Sequence, residues 1–559
     1  MITTAASRKL TRNEDLKSNH PMLDGSIAPT LEDAAVDHFT DDDYEFLKFH
    51  GVYQQDDRDK RKVAKQWIFM IRTKFPGGTL SADQYLACDR LATEYANNTL
   101  RITTRQDFQF HGVIKANLRQ TVKALNEVLV TTFGACGDLE RNVMAPPTPS
   151  TSPLVDQVLE EAKRLSEVLL PSTKAYHKIW LEGQELNLGE EENQNFPDPL
   201  YLKTYLPRKF KTAFVIPPLN DIDIFTNDLG FIAIGEGDKL VGYNLLAGGG
   251  MGMTHGNVQT FPRLADVIGF VTPDHLEAVA KAVITIHRDF GDRTNRKHAR
   301  LKYILAERGL DWFRAEVEQR AGIKLAPARP FRFTKQGDLL GWHEQTNGNY
   351  FLGLFVENGR VKDTNGYQLK TGLRKAIEAF KPEVRLTASQ NLLLVNVRSE
   401  QRDETNRLLA DHGVSVDNPF TPTRLASMAC PALPTCGLAL AESERILPDL
   451  LTRLEQLLAE TGLGKEEIVV RMTGCPNGCA RPYMAELGFV GKSPGRYHMY
   501  IGGNEASTRL NRVYKESVKT EDIINEIRSL LMRYIPERAA DERFGDWCAR
   551  AIWKEMAPD

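Results

Sequence analysis

Apolar residues recur at helical spacing in three stretches of the chain: LEDAAVDHF at 31–39, LVDQVLEEAKRLSEVLL at 154–170 and LPDLLTRLEQLLAETG at 447–462. Such a repeat predicts amphipathic helices. Shorter runs rich in β-branched residues, KTAFVIPP at 211–218 and EIVVRMTG at 467–474, predict strands. The pattern therefore indicates a protein that combines helices with covered sheets.

The chain also resembles itself. LRITTRQDFQFHGV at 100–113 aligns with VRLTASQNLLLVNV at 384–397, which matches Arg101 with Arg385, Thr103 with Thr387 and Gln106 with Gln390. Three further pairs follow in the same order: RNVMAPPTP with RLASMACPALP, DLGFIAI with ELGFVGK, and YNLLAGGG with YHMYIGGN. Because chance similarity would not preserve the order, we predict a duplicated α+β unit with tight glycine turns.

Composition indicates an ordinary globular chain. It has 559 residues, of which 42% are hydrophobic and 26% charged, enough for three or four domains at roughly 150 residues each. Lys and Arg number 71 against 74 Asp and Glu, for a formal net charge of -3. We therefore expect no nucleic-acid partner and no membrane partner, and any anion site must be local.

The N-terminal stretch MITTAASRKLTRNEDLKSNHP lacks the apolar centre of a secretory signal, and no apolar run is long enough to span a bilayer. We therefore expect a cytoplasmic location. In a reducing cytosol, seven cysteines favour packing thiols and metal ligands over disulfides. Cys88, Cys136 and Cys548 are isolated in the sequence and are interpreted as packing thiols.

The other four cysteines form two loops. Cys430 and Cys436 lie in ACPALPTCG, and Cys475 and Cys479 lie in TGCPNGCARP. Neither the short knuckles of structural zinc sites nor the C-x-x-C of redox dithiols fits both pairs. Four thiolates at varied spacings suit a 4Fe-4S cluster, which is wider than one ion. Zinc is the second interpretation, and a purely structural group of cysteines is the third. Prolines and glycines make both loops rigid and let backbone N–H groups approach the sulfurs.

Around these loops, MACPALPTCGLALAESERILP and RMTGCPNGCARPYMAELGFVGKSPGRY resemble the haemoprotein (beta) subunits of assimilatory sulfite reductases, members of the sirohaem and 4Fe-4S nitrite and sulfite reductase family. HGVYQQDDRD, LRITTRQDFQFHG, TYLPRKFKTAFVIPPLNDID, NLLAGGGMGMTHGN and RAGIKLAPARPF add to the likeness. The cysteine spacing is shared with ferredoxin-dependent relatives, whereas YQQDDRD is more typical of subunits that work with an NADPH-dependent flavoprotein.

The resemblance implies an internally duplicated α+β fold with paired ferredoxin-like modules and two α/β cofactor-binding lobes. It further implies sirohaem and a 4Fe-4S cluster, with Cys479 binding both the cluster and the sirohaem iron. The residues implied for the substrate-anion cage are Arg72, Arg141, Lys209 and Lys211. Those implied around the macrocycle are Arg101, Arg105, Gln109, Arg208, Arg300, Lys302 and Asn477. Arg300 stands where the family more often has Lys.

On this basis we expect six-electron reduction of sulfite to sulfide for sulfur assimilation and cysteine biosynthesis. The sequence carries no dinucleotide or flavin fingerprint. GGGMG at 248–252 lacks the spacing of a phosphate-binding glycine loop and is interpreted as close backbone packing. Electrons must therefore come from a partner, expected to be an NADPH-dependent flavoprotein (alpha) subunit that carries FAD and FMN. A ferredoxin-fed sulfite or nitrite reductase with the same cofactors is the alternative.

The cations agree with this chemistry, because sirohaem carries eight carboxylates and sulfite is an anion. Taken singly, each basic residue is better interpreted as a solvated surface charge. RDFGDRTNRKHARLKY at 288–303 suggests an exposed amphipathic helix or a nucleic-acid patch, which its own aspartates weaken. His111 and His255 are interpreted as structural. Rival hypotheses are a zinc-stabilised binding protein and a cluster regulator without tetrapyrrole.

We expect five regions along the chain. They are an N-terminal extension at 1–60, a first ferredoxin-like half at 61–145, a first sirohaem-binding α/β lobe at 146–329, a second ferredoxin-like half at 330–420, and a lobe at 421–559 that binds the 4Fe-4S cluster and sirohaem. The resemblance implies that the extension docks the flavoprotein; disorder until the partner binds is the alternative.

Overall fold

The computed structural model of the protein describes residues 9–149, 152–172, 179–181, 184–186 and 198–556. It combines α-helices with four larger β-sheets, as the hydrophobic pattern predicts. Two of these sheets form a central pair of modules, and the other two belong to separate lobes. Two short hairpins complete the described sheets: Asp363–Thr364 with Tyr367–Gln368, and Ile179–Leu181 with Gln184–Leu186.

Each of the two module sheets has five strands. The first module sheet contains, in spatial order, Val52–Asp56, Trp67–Arg72, Phe108–Val113, Leu100–Ile102 and Arg360–Val361. The second module sheet contains Gly341–Glu344, Tyr350–Leu354, Leu392–Val397, Glu383–Leu386 and Thr79–Leu80. The last strand of each sheet comes from the other half of the sequence. The two modules therefore exchange edge strands, and one hydrophobic core runs through both.

The lobe sheets also share a topology. The first lobe sheet contains Asp266–Val271, Lys239–Ala247, Leu229–Glu236 and Thr212–Val215. The second lobe sheet contains Met428–Ala429, Val470–Thr473, Leu487–Ser493, Arg496–Ile501 and Arg512–Lys519. In each lobe a parallel strand pair leads into an antiparallel meander. Met144 pairs in parallel with Ala213 in the first lobe, as Met428 does with Arg471 in the second.

The duplication predicted from the sequence is thus confirmed, and it extends to single residues. Gln106 and Gln390, which the repeat aligns, both adopt a positive φ, of 58° and 72°. Each lies in the turn between the two strands of its aligned segment. The side-chain amide of Gln106 donates to Ala145 O at 2.8 Å, and that of Gln390 donates to Ala429 O at 3.1 Å. Each glutamine therefore ties its module to the segment that leads into a lobe.

The α-helices in the described residues cover both sheet types. They are Arg12–Asn19, Ile27–Glu32, Asp41–Phe49, Ala82–Tyr95, Lys115–Glu127, Pro153–Val168, Leu276–Phe290, Leu301–Arg308, Leu310–Ala321, Leu369–Phe380, Arg402–Ala410, Pro422–Leu425, Leu447–Glu460, Ile523–Glu537 and Phe544–Trp547. The helices predicted at 154–170 and 447–462 are confirmed, as are the strands predicted in KTAFVIPP and EIVVRMTG.

Two helix predictions are wrong. LEDAAVDHF is helical only to Glu32, because the Asp33 side chain accepts from Ala35 N at 2.9 Å and closes a turn instead. RDFGDRTNRKHARLKY is broken by Gly291 and by a turn in which Asp292 accepts from Thr294 N and Asn295 N. A helix resumes at Leu301. The basic residues of this segment therefore point in different directions and do not form one helical face.

Both lobes are built around extensive apolar cores of their own. Within the part of the chain that the structure describes, no helix is both long and apolar enough to cross a membrane. The strand ends and glycine turns of the lobes lie next to the modules, and the functional side chains come from this junction.

Candidate functional site

Both cysteine loops leave the same edge of the second lobe sheet. Cys430 follows strand Met428–Ala429, and Cys475 lies just beyond strand Val470–Thr473; the two strands are parallel neighbours. Because parallel strands end at the same edge, their following loops are brought together. Cys430 N also donates to Met472 O at 3.2 Å. The fold therefore brings close in space two loops that lie far apart in the sequence.

Backbone and side-chain N–H groups surround the sulfurs, as the glycine-rich loops predict. Gly474 N donates to Cys430 Sγ at 3.3 Å. Asn477 donates to Cys475 from both its backbone and its side chain, and the backbone of Ala439 donates to Cys436. Burial raises the pKa of Cys475 to about 12, and the neighbouring Cys479 adds to the rise. Such thiols bind as thiolates only when a positively charged group replaces their protons.

The four thiols lie close to one another. Burial raises the pKa of Cys430 well above its usual value, and Cys479, Cys436 and Cys475 raise it further, so all four thiols lie within electrostatic reach. Four neighbouring thiols agree with the cubane cluster that the spacing of the two loops favours over zinc.

Cys479 differs from the other three because it is exposed in the protein chain, whereas Cys430 and Cys475 are buried. Its charge acts on the other three thiols. It also acts on Arg72 and Lys209. Its backbone is fixed by the Thr104 hydroxyl, which donates to Cys479 O at 3.0 Å. Cys479 therefore stands between the thiol group and a set of cations.

That set contains the four residues expected to form an anion cage. Arg141 is held by its own loop, donating from Nε to Gly137 O at 3.0 Å and from Nη1 to Ala135 O at 3.2 Å. Arg72 ends a strand of the first module sheet. In the amide orientation that satisfies the hydrogen bonds, Gln109 Oε1 accepts from Arg72 Nε at 3.1 Å. These two guanidinium groups are thus positioned before any anion arrives.

The two lysines lie just before strand Thr212–Val215. Burial lowers the pKa of Lys209 to about 7, and Arg208, Arg300 and Arg141 lower it further. The pKa of Lys211 is lowered well below its usual value by burial and then by Arg105, Lys209 and Arg300. These mutual effects indicate that the cations lie close enough together to repel one another.

The charge of this set of cations suits an anion. Ion pairs within the described chain join the cations to buried Asp138, which lies 3.9 Å from Arg208, and to Asp228, which lies 2.7 Å from Arg300. Although burial acts to raise it, Arg296, Lys17 and Arg208 hold the pKa of Asp138 below its usual value. Mutual repulsion of the remaining cations is relieved when a polyanion enters. A tetrapyrrole rich in carboxylates and a small oxyanion both satisfy this requirement.

Lys302, which is also expected around the macrocycle, supports the glycine loop at 248–252. Lys302 is buried and donates to Gly250 O at 3.1 Å and Gly252 O at 2.7 Å, and burial lowers its pKa to about 6. A Cβ on Gly249 would lie 2.2 Å from Phe225 O, which confirms the close packing predicted for this loop. Lys302 therefore fixes the glycine loop next to Asn477. A Cβ built on Gly252 would lie 3.3 Å from the backbone oxygen of Asn477.

Arg101 and Arg105 are turned towards protein atoms. Arg101 Nη2 donates to Ala429 O at 2.6 Å, and Arg101 Nε lies 3.4 Å from the Glu444 carboxylate. Arg105 donates to Thr212 O at 2.9 Å and to Asn227 Oδ1 at 2.8 Å. Both arginines fasten a module to a lobe beside the cation set.

Comparison with known proteins agrees with this arrangement. Residues 64–128 and 343–412 match the family described as "Nitrite/Sulfite reductase ferredoxin-like half domain", and residues 160–325 match "Nitrite and sulphite reductase 4Fe-4S domain". The chain is 49% identical over 97% of both chains to a protein of Myxococcus xanthus named sulfite reductase [NADPH] hemoprotein beta-component. A protein of the same name from Geobacillus kaustophilus is 48% identical over 97% of this chain and 96% of its own.

The chain belongs to the nitrite and sulfite reductase family. The resemblance expected from the sequence is therefore confirmed, and so is the duplicated fold. A solved structure titled "Structure of Mycobacterium tuberculosis NirA protein" superposes with a TM-score of 0.80 at 24% identity, over 97% of this chain and 96% of that one. This likeness shows the same fold.

The structure adds residues to the family site that the sequence did not single out. Burial raises the pKa of Tyr53, whose phenol faces Arg141, Arg72 and Arg208. Tyr53 lies in a strand paired with Trp67–Arg72, the strand that ends in Arg72. Asp138 and Asp228, the counter-charges of the cations, lacked a signal because their partners are distant in sequence.

Substitution of Arg300 would measure how much a buried ion pair of this site contributes to the stability of the protein. Its guanidinium contacts Asp228 through two hydrogen bonds, of 3.1 Å from Nε and 2.7 Å from Nη2. We expect Arg300→Ala to lower the free energy of unfolding by about 3–5 kcal/mol, because it leaves a carboxylate buried without its partner. Arg300→Lys keeps the charge and should lose less. Urea denaturation of the apoprotein measures the difference.

Lys324→Ala provides the control for this prediction. Lys324 also forms an ion pair in the first lobe, with Glu318 at 2.6 Å, but its side chain is 88% exposed. Exposed pairs contribute little, so its loss should leave the denaturation midpoint nearly unchanged. If Arg300→Ala unfolds at the same urea concentration as the wild type, the Arg300–Asp228 pair does not stabilise the lobe.

Proposed function

We propose that this chain is the haemoprotein subunit of a sulfite reductase and reduces sulfite to hydrogen sulfide with six electrons in sulfur assimilation and cysteine biosynthesis. The observation that supports this most strongly is the position of Cys479, between three further thiols and a set of cations. A redox centre held by the thiols would then lie next to an oxyanion held by the cations. The names of the relatives agree with this function.

The chain carries sirohaem and a 4Fe-4S cluster. Cys430, Cys436, Cys475 and Cys479 would hold the cluster, and Cys479 would also hold the sirohaem iron. Arg208, Arg300, Lys302 and Asn477 would line the macrocycle, and Arg101, Arg105 and Gln109 would support this part of the site through their contacts with neighbouring protein groups. When bound, these groups supply stored electrons and an iron that binds the sulfur of sulfite. The donor set fits them, since thiolates suit iron clusters and the surrounding cations suit a polycarboxylate.

The four residues of the cage would act on the oxygens of sulfite. Arg72 and Arg141, fixed by Gln109 and by the Gly137 carbonyl, would hold the oxyanion in one orientation. Lys209 and Lys211 would donate protons as each oxygen leaves as water. A lysine whose pKa is lowered towards neutrality gives up its proton readily, and an incoming anion would restore its positive charge. Binding and proton donation are thereby divided between two residue types.

The electron donor would be an NADPH-dependent flavoprotein alpha subunit that carries FAD and FMN. The name beta-component, borne by the relatives, implies such a partner. The chain offers a surface beside the thiols, where Leu438 is 66% exposed two residues after Cys436. Arg58 packs against the same loop, donating to Ala439 O at 2.6 Å. We place the protein in the cytoplasm, where a reducing environment would keep Cys88, Cys136 and Cys548 as thiols and the other four cysteines available to the cluster.

An anaerobic visible spectrum of the purified protein, with iron and zinc counted on the same sample, tests the proposal. We expect tetrapyrrole bands and about five irons per chain, four in the cubane and one in the macrocycle. Sulfide and ammonia formation at limiting sulfite and nitrite would then separate the two substrates, and a flavoprotein compared with a small ferredoxin would separate the donors. A colourless zinc protein would exclude the enzyme function.

A further inference from the structure

Three titratable side chains lie behind the cation cage and are not used by the function proposed above. Lys74, Asp107 and Glu140 are 4%, 1% and 0% exposed. Each is close in sequence to a residue of the site: Lys74 is two residues after Arg72, and Glu140 directly precedes Arg141. The segments that supply the cage thus also supply this group, which we name the rear triad.

The two carboxylates of the rear triad have few hydrogen bonds for their depth. Glu140 accepts from Thr212 N at 3.1 Å and from Thr212 Oγ1 at 2.8 Å. Asp107 accepts from Phe75 N at 3.2 Å. Lys74 Nζ is buried, and no hydrogen-bond partner is found for it in the described chain. A buried ammonium group without hydrogen bonds is costly, so burial favours the neutral amine of Lys74.

Among the described residues, the charged groups that act most strongly on the triad come from the site and its surroundings. Glu140 and Asp107 both act on Lys74, together with Arg105. Asp107 faces Arg72, Arg105 and Lys74. Glu140 faces Arg105, Lys74 and Asp228, and its charge also acts on buried Tyr201. The triad is therefore buried and lies within electrostatic reach of Arg72 and Arg105.

Burial favours the uncharged form of all three groups. It therefore moves the pKa values of the two acids upward and that of the amine downward. It raises the pKa of Asp107 to about 7 and that of Glu140 to about 7, while it lowers the pKa of Lys74 to about 8. Near neutral pH, the triad consequently holds protons that it can both give and take. Groups with pKa values near the working pH make effective proton donors.

Thr212 links the triad to the cage. Its backbone N and its hydroxyl donate to Glu140, and its carbonyl accepts from Arg105 Nη2 at 2.9 Å. It directly follows Lys211 in the chain, and Lys211 in turn faces Arg105. Asp107 approaches the cage from another side, since its charge acts on Arg72. The triad thus contacts the segments that carry an anion-binding arginine and a proton-donating lysine.

We propose that the rear triad of Lys74, Asp107 and Glu140 stores protons and re-protonates Lys211 during sulfite reduction. Reduction of one sulfite ion to hydrogen sulfide takes up six electrons and eight protons and releases three waters, so the cage lysines must be recharged repeatedly. A proton leaves an acid of the triad, ends on the Lys211 amine, and is replaced from bulk water. This inference rests on the proposed function and deepens it.

Infrared spectra of the holoprotein as a function of pH test the store without any substrate. We expect the carbonyl band of protonated carboxylic acids to persist near pH 7, and part of it to be missing in Glu140→Gln and in Asp107→Asn. Lys74→Met removes a positive charge that lowers both carboxyl pKa values, so the band should persist to higher pH in that variant. Glu167→Gln, which changes an exposed carboxylate, should leave the band unchanged.

Steady-state kinetics test the delivery step. Glu140→Gln should lower kcat for sulfite by at least about tenfold while KM changes little, with the loss increasing as the pH rises because bulk protons become scarcer. Loss of the band with an unchanged kcat and pH profile would overturn delivery to Lys211. Absence of a titrating band assigned to either acid would overturn the store itself. Because the infrared measurement needs no substrate, it stands even if sulfite is not the substrate.

Discussion

Replacing Cys479 by Ser should abolish sulfite reduction. A serine hydroxyl stays protonated at neutral pH and is a poor ligand for iron. Cys479 lies near both the other three thiols and the cage cations Arg72 and Lys209, so its replacement affects both groups. Changes to residues that only support a metal ligand typically cost about 10–100-fold, so loss of the ligand itself should cost more than roughly a hundredfold. Sulfide formation with a chemical reductant measures the loss independently of any partner.

Cys88→Ser is the matched control for this variant. Cys88 is fully buried in the core shared by the two modules, far from the cysteine loops in sequence. It should retain iron content, the visible spectrum and turnover, apart from a modest loss of stability. Full sulfite-reducing activity in Cys479→Ser would refute the role of Cys479 as the shared ligand. Loss of activity with an unchanged spectrum and iron content would place its role in the reaction and not in cofactor binding.

Lys209→Ala should lower turnover by about a hundredfold, the lower end of the range for a positioned proton donor, while the cofactors remain bound. The residue faces Arg208, Arg300, Arg141 and Cys479, and burial has already brought its pKa to about 7. Its removal relieves repulsion among the cations, so the apoprotein should not lose stability. The visible spectrum and iron content report cofactor loading, and kcat for sulfite reports the proton donation.

Lys203→Ala is the control here, because Lys203 lies six residues earlier in the same segment but is exposed. It should keep wild-type kcat. If Lys209→Ala keeps wild-type turnover, Lys209 does not belong to the anion cage. Loss of the tetrapyrrole bands in Lys209→Ala would instead mean that this lysine chiefly holds the macrocycle.

Much of this architecture was accessible from the sequence because the duplication leaves residues at aligned positions. The repeat pairs Gln106 with Gln390, and both adopt a positive φ in equivalent turns. The cysteine spacing likewise indicated a cluster, because neither the zinc-knuckle pattern nor C-x-x-C fits both pairs. Local periodicity failed at LEDAAVDHF, where the Asp33 side chain closes a turn that an apolar pattern does not encode.

The counter-charges of the site were beyond prediction for a different reason. Asp228 meets Arg300 and Asp138 meets Arg208 only after the first lobe has folded. A single aspartate in a sequence is usually a surface residue, and nothing near Asp138 indicates that it will be buried among cations. The rear triad has the same origin, because Lys74, Asp107 and Glu140 acquire their partners through tertiary packing alone.

Because the modules exchange edge strands, neither module sheet can be completed early during synthesis on the ribosome. The first module sheet is completed only by Arg360–Val361, where Arg360 lies opposite Arg101. More than half of the polypeptide must therefore emerge before its earliest sheet is whole, and Thr79–Leu80 must wait still longer for Val384 and Arg385. A nascent chain of this kind exposes two unfinished sheet edges during synthesis, so chaperone dependence is expected before any cofactor is inserted.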